Sequence, residues 1–229
     1  PQASQRSSLA HFTATDDLDE LRLRALPPRS VVLQTSPQAV FRGLELAAVE
    51  GARPDLVPVP WPFLRYPGMR DAVVARAPGL AAVVNASLAA HDRLQLAALL
   101  QLAEQRPVFV ELDTHVVPEL YAHLQPRGLL TQVSRARIDA DSASTTLQHS
   151  YALLDARLGG QRAETETARQ VLWIHYMNAI QLGALGLHEL AQAEVLRAGA
   201  LHPEEQRLKG LAAALQLQKP LDPKRFLEF

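Results

Sequence analysis

The segment from Leu26 to Val59, LPPRSVVLQTSPQAVFRGLELAAVEGARPDLVPV, constrains the fold more than any other stretch of the chain. It reads as strand, turn, helix and strand, the seed of a parallel sheet. Val31 to Gln34 is a short, mostly apolar run suited to a buried strand. Ser36 before Pro37 is a helix start, with a hydroxyl cap and then proline at the first helical position. Val40, Phe41, Leu44, Ala47 and Ala48 follow at helical spacing, and Gly51 supplies a left-handed stop. Arg53-Pro54-Asp55 turns the chain into a second strand, Leu56 to Val59. Pro58 argues against that strand, since proline cannot donate to a ladder.

Further along, helices and strands alternate. Asp16 to Ala25 reads as a helix with acids early and arginines late, as the helix dipole prefers. Pro60 to Gly68 is irregular; Trp61, Phe63 and Tyr66 either anchor it to the core or form a pocket wall. Met69 to Arg76 is helical, Leu80 to Ala90 is ambiguous between helix and strand, and His91 to Gln105 is a helix with a broad leucine face. Val108 to Leu112 (VFVEL) is the best strand in the chain. Val117 to Leu124 reads as a helix, Pro126-Arg127-Gly128 as a turn, and Leu129 to Val133 as a strand. The pattern predicts an α/β domain over 16–135 with a small, mainly parallel, Rossmann-like sheet. Phe41, Leu44, Leu96, Leu100, Val108 and Val110 are its expected buried residues.

Over 139–229 no strand pattern remains. Helices are expected at Ser142–Leu158, Glu164–Leu185, His188–Ala200 and Pro203–Leu217, with Gly159-Gly160 separating the first two. Ala179, Leu182, Gly186, Ala191, Val195, Ala198 and Pro203 match the small and apolar positions of a tetratricopeptide repeat, while Asn178 departs from its usual leucine. The same spacing also fits an ordinary alanine-rich helical hairpin. A single repeat exposes one apolar face, so this part is expected to pack on the α/β domain, with Trp173 and Tyr176 as anchors.

Composition narrows the function classes. The 23 basic and 24 acidic residues give a net charge of −1, which argues against nucleic acid as a partner. Without cysteine the chain has no disulfide or thiolate-bound metal. No run approaches the roughly 18 apolar residues of a membrane span. The chain begins at Pro1, and PQASQRSS resembles an excised linker; residues 1–15 are expected to be a tail or linker and the chain a piece of a longer protein.

Motifs for chemistry are sparse. GxGxxG, Walker, HExxH and GxSxG patterns are absent, so no cofactor, metal or catalytic residue is expected. Two places remain as ligand-binding candidates. Thr35 and Ser36, after the first strand, offer hydroxyls and a helix N-terminus to an anion, or simply cap that helix. Asp113 and His115 follow the best strand, where ligands of open parallel sheets collect; they share a metal for which the third ligand is missing, form a base and its orienter, or serve as a cap and turn. His175 and His188 fall on the repeat-like helices and read as surface or packing residues. All four candidates are expected near one another, beside the ends of the first and third strands.

The quoted motifs also carry a resemblance. Leu26-Pro27-Pro28, Val31-Val32-Leu33, Val49-Glu50-Gly51, Arg53-Pro54-Asp55-Leu56 and Arg106-Pro107-Val108-Phe109-Val110 resemble the soluble C-terminal region of the DUF2723 membrane proteins, over about Leu18 to Val133. That family looks like protein O-mannosyltransferases of the GT-C class. The resemblance implies a multi-span membrane domain in the same polypeptide, followed by a soluble extracytoplasmic or periplasmic portion, sometimes with tetratricopeptide repeats. The family's catalytic acids would lie on loops of the membrane domain. Thr35-Ser36-Pro37-Gln38 replaces the family's glycine–aspartate-rich turn. The expected function is therefore non-catalytic: binding a polypeptide or glycan acceptor, or bracing the membrane domain. The alternatives are a free-standing scaffold that takes a partner peptide on its repeat helices, and a small hydrolase or transferase acting at Asp113 and His115.

Overall fold

Strand β1 (Val31–Gln34) lies beside two parallel neighbours, and this arrangement sets the sheet. The computed structural model describes residues 14–24, 26–48, 51, 53–158 and 165–227, with the side chains of 46–48 and 165–166 outside that description. Helix α1 (Ala14–Leu23) precedes β1; α2 (Pro37–Ala48) follows it and leads to β2 (Val57–Pro60). Next come α3 (Pro67–Arg76), α4 (Ala81–Ala89), α5 (Leu96–Ala103) and β3 (Val108–Val110). A 3-10 turn at Pro118–His123 leads into the hairpin β4 (Leu124–Arg127) and β5 (Leu130–Val133). The sheet order is β2-β1-β3-β5-β4.

The fold is α/β with a mixed five-stranded sheet. β1 pairs in parallel with β2 and β3, whereas β5 pairs antiparallel with β3 and with β4. The mainly parallel expectation is corrected in its second half, where the chain returns by a hairpin in place of a helical crossover. The hairpin escaped sequence reading because Pro126 sits inside β4. It is tolerated there because β4 is an edge strand, as is β2 with Pro58 and Pro60. The turn is Gly128-Leu129, and Gly128 takes φ +66°, which a two-residue hairpin loop needs.

Successive residues of β1 face two cores. Val31 and Leu33 join Val57, Val59, Val108 and Val110, covered by Val83, Val84, Leu99 and Leu102; Val32 joins Phe109, Leu130, Leu26 and Leu56. Val108 and Val110 are buried as expected, but Leu96 and Leu100 are only half-buried. Helix α5 begins five residues later than its leucine pattern implies, after positive φ at His91 and Asp92. Phe41 and Leu44 are exposed, against expectation. The small residues Ala39 and Gly43 let α2 press onto the Gln34 side chain, whose Nε2 donates to the Ala39 carbonyl at 2.8 Å. The large side chains turn outward, and Phe41 meets Phe63, which stacks on Tyr66.

Arg53 ties the resemblance-bearing motifs together. Its guanidinium donates to the carbonyls of Leu23, Arg24 and Leu26 at 2.8–3.0 Å and pairs with Asp55, which also accepts the Arg29 N–H at 3.2 Å. The end of α1 is thus capped from the turn before β2. Ala25, Val49 and Glu50 lie outside the described residues.

The last part is helical: α6 (Ala140–Leu158), α7 (Thr165–Ala184), α8 (His188–Leu201), α9 (Gln206–Leu215) and α10 (Lys224–Leu227). The expected tail over residues 1–13 and the break at Gly159-Gly160 lie outside the described residues, while Ala14 and Thr15 already belong to α1. Between α7 and α8, Gly186 takes φ +76°, its N–H reaching the Gly183 carbonyl at 3.1 Å and the Leu187 N–H that of Leu182 at 2.9 Å. This is a Schellman stop. Ala179, Leu182, Ala191 and Ala198 are fully buried in the resulting hairpin.

One continuous apolar core runs from the sheet into these helices. A buried polar anchor between them is Gln181, whose Nε2 donates to the carbonyls of Tyr121 and Leu124 at 2.8 and 2.7 Å. Tyr176 is buried in this core and Trp173 packs against it. They stack on each other, and the Tyr176 hydroxyl donates to Phe226 near the end of the chain.

Gly183 is the tightest point of this region, because a Cβ there would collide with Leu221 and come within 2.8 Å of Leu215. Gly183→Ala is expected to destabilise the protein by about 1–3 kcal/mol through overpacking. Gly199→Ala, in open space on α8, should stabilise it by up to about 1 kcal/mol. Urea unfolding midpoints of the two variants check both signs.

Candidate functional site

The carboxyl ends of β1 and β3 open into one cleft of about 530 Å³. Thr35, Ser36, Asp113 and His115 all line it, so the four sequence candidates come together. The tip of the β4–β5 hairpin forms one side. Trp173 and its neighbours on α7 form another wall, Leu147 contributes from α6, and Arg22 contributes from α1. Clefts beyond the carboxyl ends of parallel strands are the usual ligand positions of such sheets. The aromatic loop after β2 is not part of this lining; Trp61 is buried and donates to the Asp92 carbonyl at 3.2 Å, so it acts as an anchor.

Thr35 and Ser36 do not present an empty anion site. The buried Glu111 carboxylate fills that place from the end of β3. One oxygen accepts the N–H groups of Thr35 and Ser36 at 2.9 and 3.0 Å, and the other accepts the Ser36 hydroxyl at 2.7 Å. The Thr35 hydroxyl also reaches Glu111 at 3.3 Å. Ser36 Oγ accepts the Ala39 N–H at 3.3 Å, the geometry of a helix cap. The positive end of α2 is thus neutralised by the protein's own carboxylate. The role of Glu111 was hidden in the sequence, because only the parallel β1–β3 register brings it opposite residues 35 and 36.

Asp113 and His115 form a joined turn. Asp113 is buried; it accepts the His115 N–H at 2.7 Å with one oxygen and meets His115 Nδ1 at 2.8 Å with the other. The imidazole is exposed, and Nε2 is the nitrogen left to meet a ligand. The Asp113 carboxylate raises the His115 pKa, burial opposing it only in part. Among the described residues no serine or threonine hydroxyl hydrogen-bonds His115, and those of Thr35 and Ser36 are committed to Glu111. The site therefore holds an imidazole oriented by a buried carboxylate. Among the described residues no group of three metal-ligating side chains converges.

Sequence reasoning missed two further features. Arg22 is 4% exposed and lines the cleft, yet it is a charged residue on a helix end. Ala14, Leu18 and Arg22 recur every four residues on the buried stripe of α1, the one signal that pointed inward. Behind the α7 wall lies a buried polar cluster: Glu194 accepts the Tyr151 hydroxyl, meets His175 Nδ1 at 3.1 Å and is approached by Asn178 Nδ2 at 3.4 Å. His175 is thus a buried, hydrogen-bonded residue of the helix interface. Burial, then the Glu194 charge, holds the Tyr151 phenol well above its ordinary pKa. Asn178, where the repeat pattern wants leucine, is the sequence trace of this cluster.

Comparison with protein-family models, with curated proteins and with solved structures finds no match.

Two outcomes follow from this geometry. Glu111→Ala should cost about 2–4 kcal/mol, because it removes charge-assisted bonds from two amides and a hydroxyl; chemical denaturation measures it. The His115 imidazole should titrate above the ordinary histidine value, and Asp113→Asn should bring it down, as read by NMR. Because the folded pKa is the raised one, the pair's contribution to stability is complete below the unfolded value and is lost as pH rises through the folded value.

Proposed function

We propose that the chain is a non-catalytic, extracytoplasmic ligand-binding domain of a membrane glycosyltransferase-like protein, and that the cleft takes a polypeptide or glycan acceptor. The observation that carries this reading is the cleft itself. It is large enough for a sugar unit or a few residues of peptide, and it combines an aromatic wall at Trp173 with fixed polar groups at His115 and Arg22. The Thr35 and Ser36 hydroxyls are held by Glu111, which favours recognition over covalent chemistry at that turn. The DUF2723-like motifs support the membrane context, with the membrane domain of the same polypeptide as a partner. The Rossmann-like description rests on the parallel β2-β1-β3 half of the sheet, and the tetratricopeptide-like description on the α7–α8 hairpin with its buried alanines. No described helix is long and apolar enough to cross a membrane.

A second reading, a scaffold that takes a partner peptide on its helices, has one observation in its favour: Leu196 and Leu201 of α8 are exposed, Leu196 by 74%.

Fluorescence separates the two. The chain has two tryptophans; Trp61 is buried in the core and Trp173 lines the cleft. Oligosaccharides and serine/threonine-rich peptides are expected to change Trp173 emission, and Trp173→Ala is expected to weaken binding about tenfold or more, as loss of an aromatic contact does. Ligand capture that survives Trp173→Ala and disappears in Leu196→Asp supports the scaffold. The coding region of the parent protein should carry membrane spans upstream of Pro1; a reading frame starting near Pro1 overturns the membrane half of the proposal.

A further inference from the structure

The cleft is lined by three carboxylates, and each is already occupied. Glu111 is held by the turn after β1, Asp113 by His115, and Glu205 accepts the Arg207 N–H at 3.2 Å in capping α9. Arg22 is in the opposite condition. Its side chain is 4% exposed, it lines the cleft, and its Nε has no acceptor. Its other nitrogens reach Gln170 Oε1 at 3.4 Å and Asp19 at 3.9 Å, both at the long limit of such contacts. Asp19 is also claimed by Arg42 at 3.0 Å, so its charge is divided between two guanidinium groups. Burial raises the Asp19 pKa despite both of them. A buried guanidinium with an unfilled donor is costly unless an anion completes it. His115 adds a second donor at Nε2 when its ring is protonated, the form that the Asp113 carboxylate on Nδ1 favours.

Resting on the binding reading above, we infer that the cleft is specific for an acidic sugar, whose carboxylate or phosphate is held by Arg22 and whose ring lies against Trp173. The guanidinium fork matches both oxyanions. Trp173 is half-buried, stacks on Tyr176 at 5.6 Å between ring centres and lines the cleft, where its indole brings apolar surface of the kind that meets the C–H face of a pyranose. An acidic peptide would use the same oxyanion contact without needing that surface, which is why the observations favour a sugar.

The test titrates the whole chain with glucuronate, glucose 6-phosphate, glucose and a short aspartate-containing peptide. Trp173 emission and the arginine Nε–Hε NMR signals are followed together. Either acidic sugar should bind at least tenfold more tightly than glucose and should shift the Arg22 Nε–Hε signal; whichever binds better identifies carboxylate or phosphate. Arg22→Gln should remove the preference over glucose, and Arg22→Lys, which keeps the charge without the fork, should restore only part of it. The wild-type Nε–Hε signal keeps the test decisive even if Arg22→Gln does not fold. Glucose binding as tightly as the acids, or an unmoved Arg22 signal on saturation, overturns this inference while leaving a binding cleft in place. A peptide that binds as well as the acidic sugars overturns the sugar assignment. Failure of all four probes to alter Trp173 overturns both the inference and the binding reading.

Discussion

The Glu111 carboxylate is the interaction on which the site depends. It stands at the end of β3 and binds the two amides and the hydroxyl that begin α2. In one contact it satisfies donors at a helix start, neutralises the positive end of that helix and fixes the spacing of two parallel strand ends. The cleft floor is therefore rigid where the first crossover meets the third strand. The same contact decides what the cleft is for. A helix N-terminus that could otherwise receive an anion is already closed, while the buried Arg22 guanidinium lines the same cleft with its Nε unfilled.

The helical part completes the cleft. Gln181 ties α7 to the carbonyls of Tyr121 and Leu124, at the start of the hairpin. That anchorage positions Trp173, two turns earlier on the same helix, beside the strand ends. Behind it, the Tyr151–His175–Asn178–Glu194 cluster holds α6, α7 and α8 in one arrangement. Buried polar clusters of this kind add geometric uniqueness when every member is satisfied. Here each of the four has a partner, so the wall that bears Trp173 is backed by directional bonds as well as apolar packing.

The charges are arranged in two tiers. Arg53 and Arg42 serve architecture: the first closes α1 onto the turn before β2, and the second gathers Asp16, Asp19 and Glu45 between α1 and α2. Arg22 lies on the same helix as Asp16 and Asp19 but faces the cleft. The architectural pairs draw Asp19 away from it, which leaves a buried cation only partly compensated. A net charge near zero for the chain conceals this local imbalance.

Local patterns in the sequence determined much of this protein. The β1–α2–β2 unit, the Ser36 cap, the Schellman glycine and most of the helices follow from periodicity, hydroxyl caps and glycine, because these depend on residues close in the chain. The proximity of Thr35, Ser36, Asp113 and His115 was also legible, since parallel strands bring their carboxyl ends to one edge. Only the tertiary structure decided the rest. Pro126 could be a strand residue because β4 proved to be an edge; Phe41 turned outward because Ala39 and Gly43 let the helix approach closer than a hydrophobic count implies. The filling of the Ser36 anion site by Glu111 and the incomplete pairing of Arg22 depend on side chains 75 and 148 residues from their partners. No local period encodes a contact of that span; it exists only once sheet register and helix packing have brought the partners together.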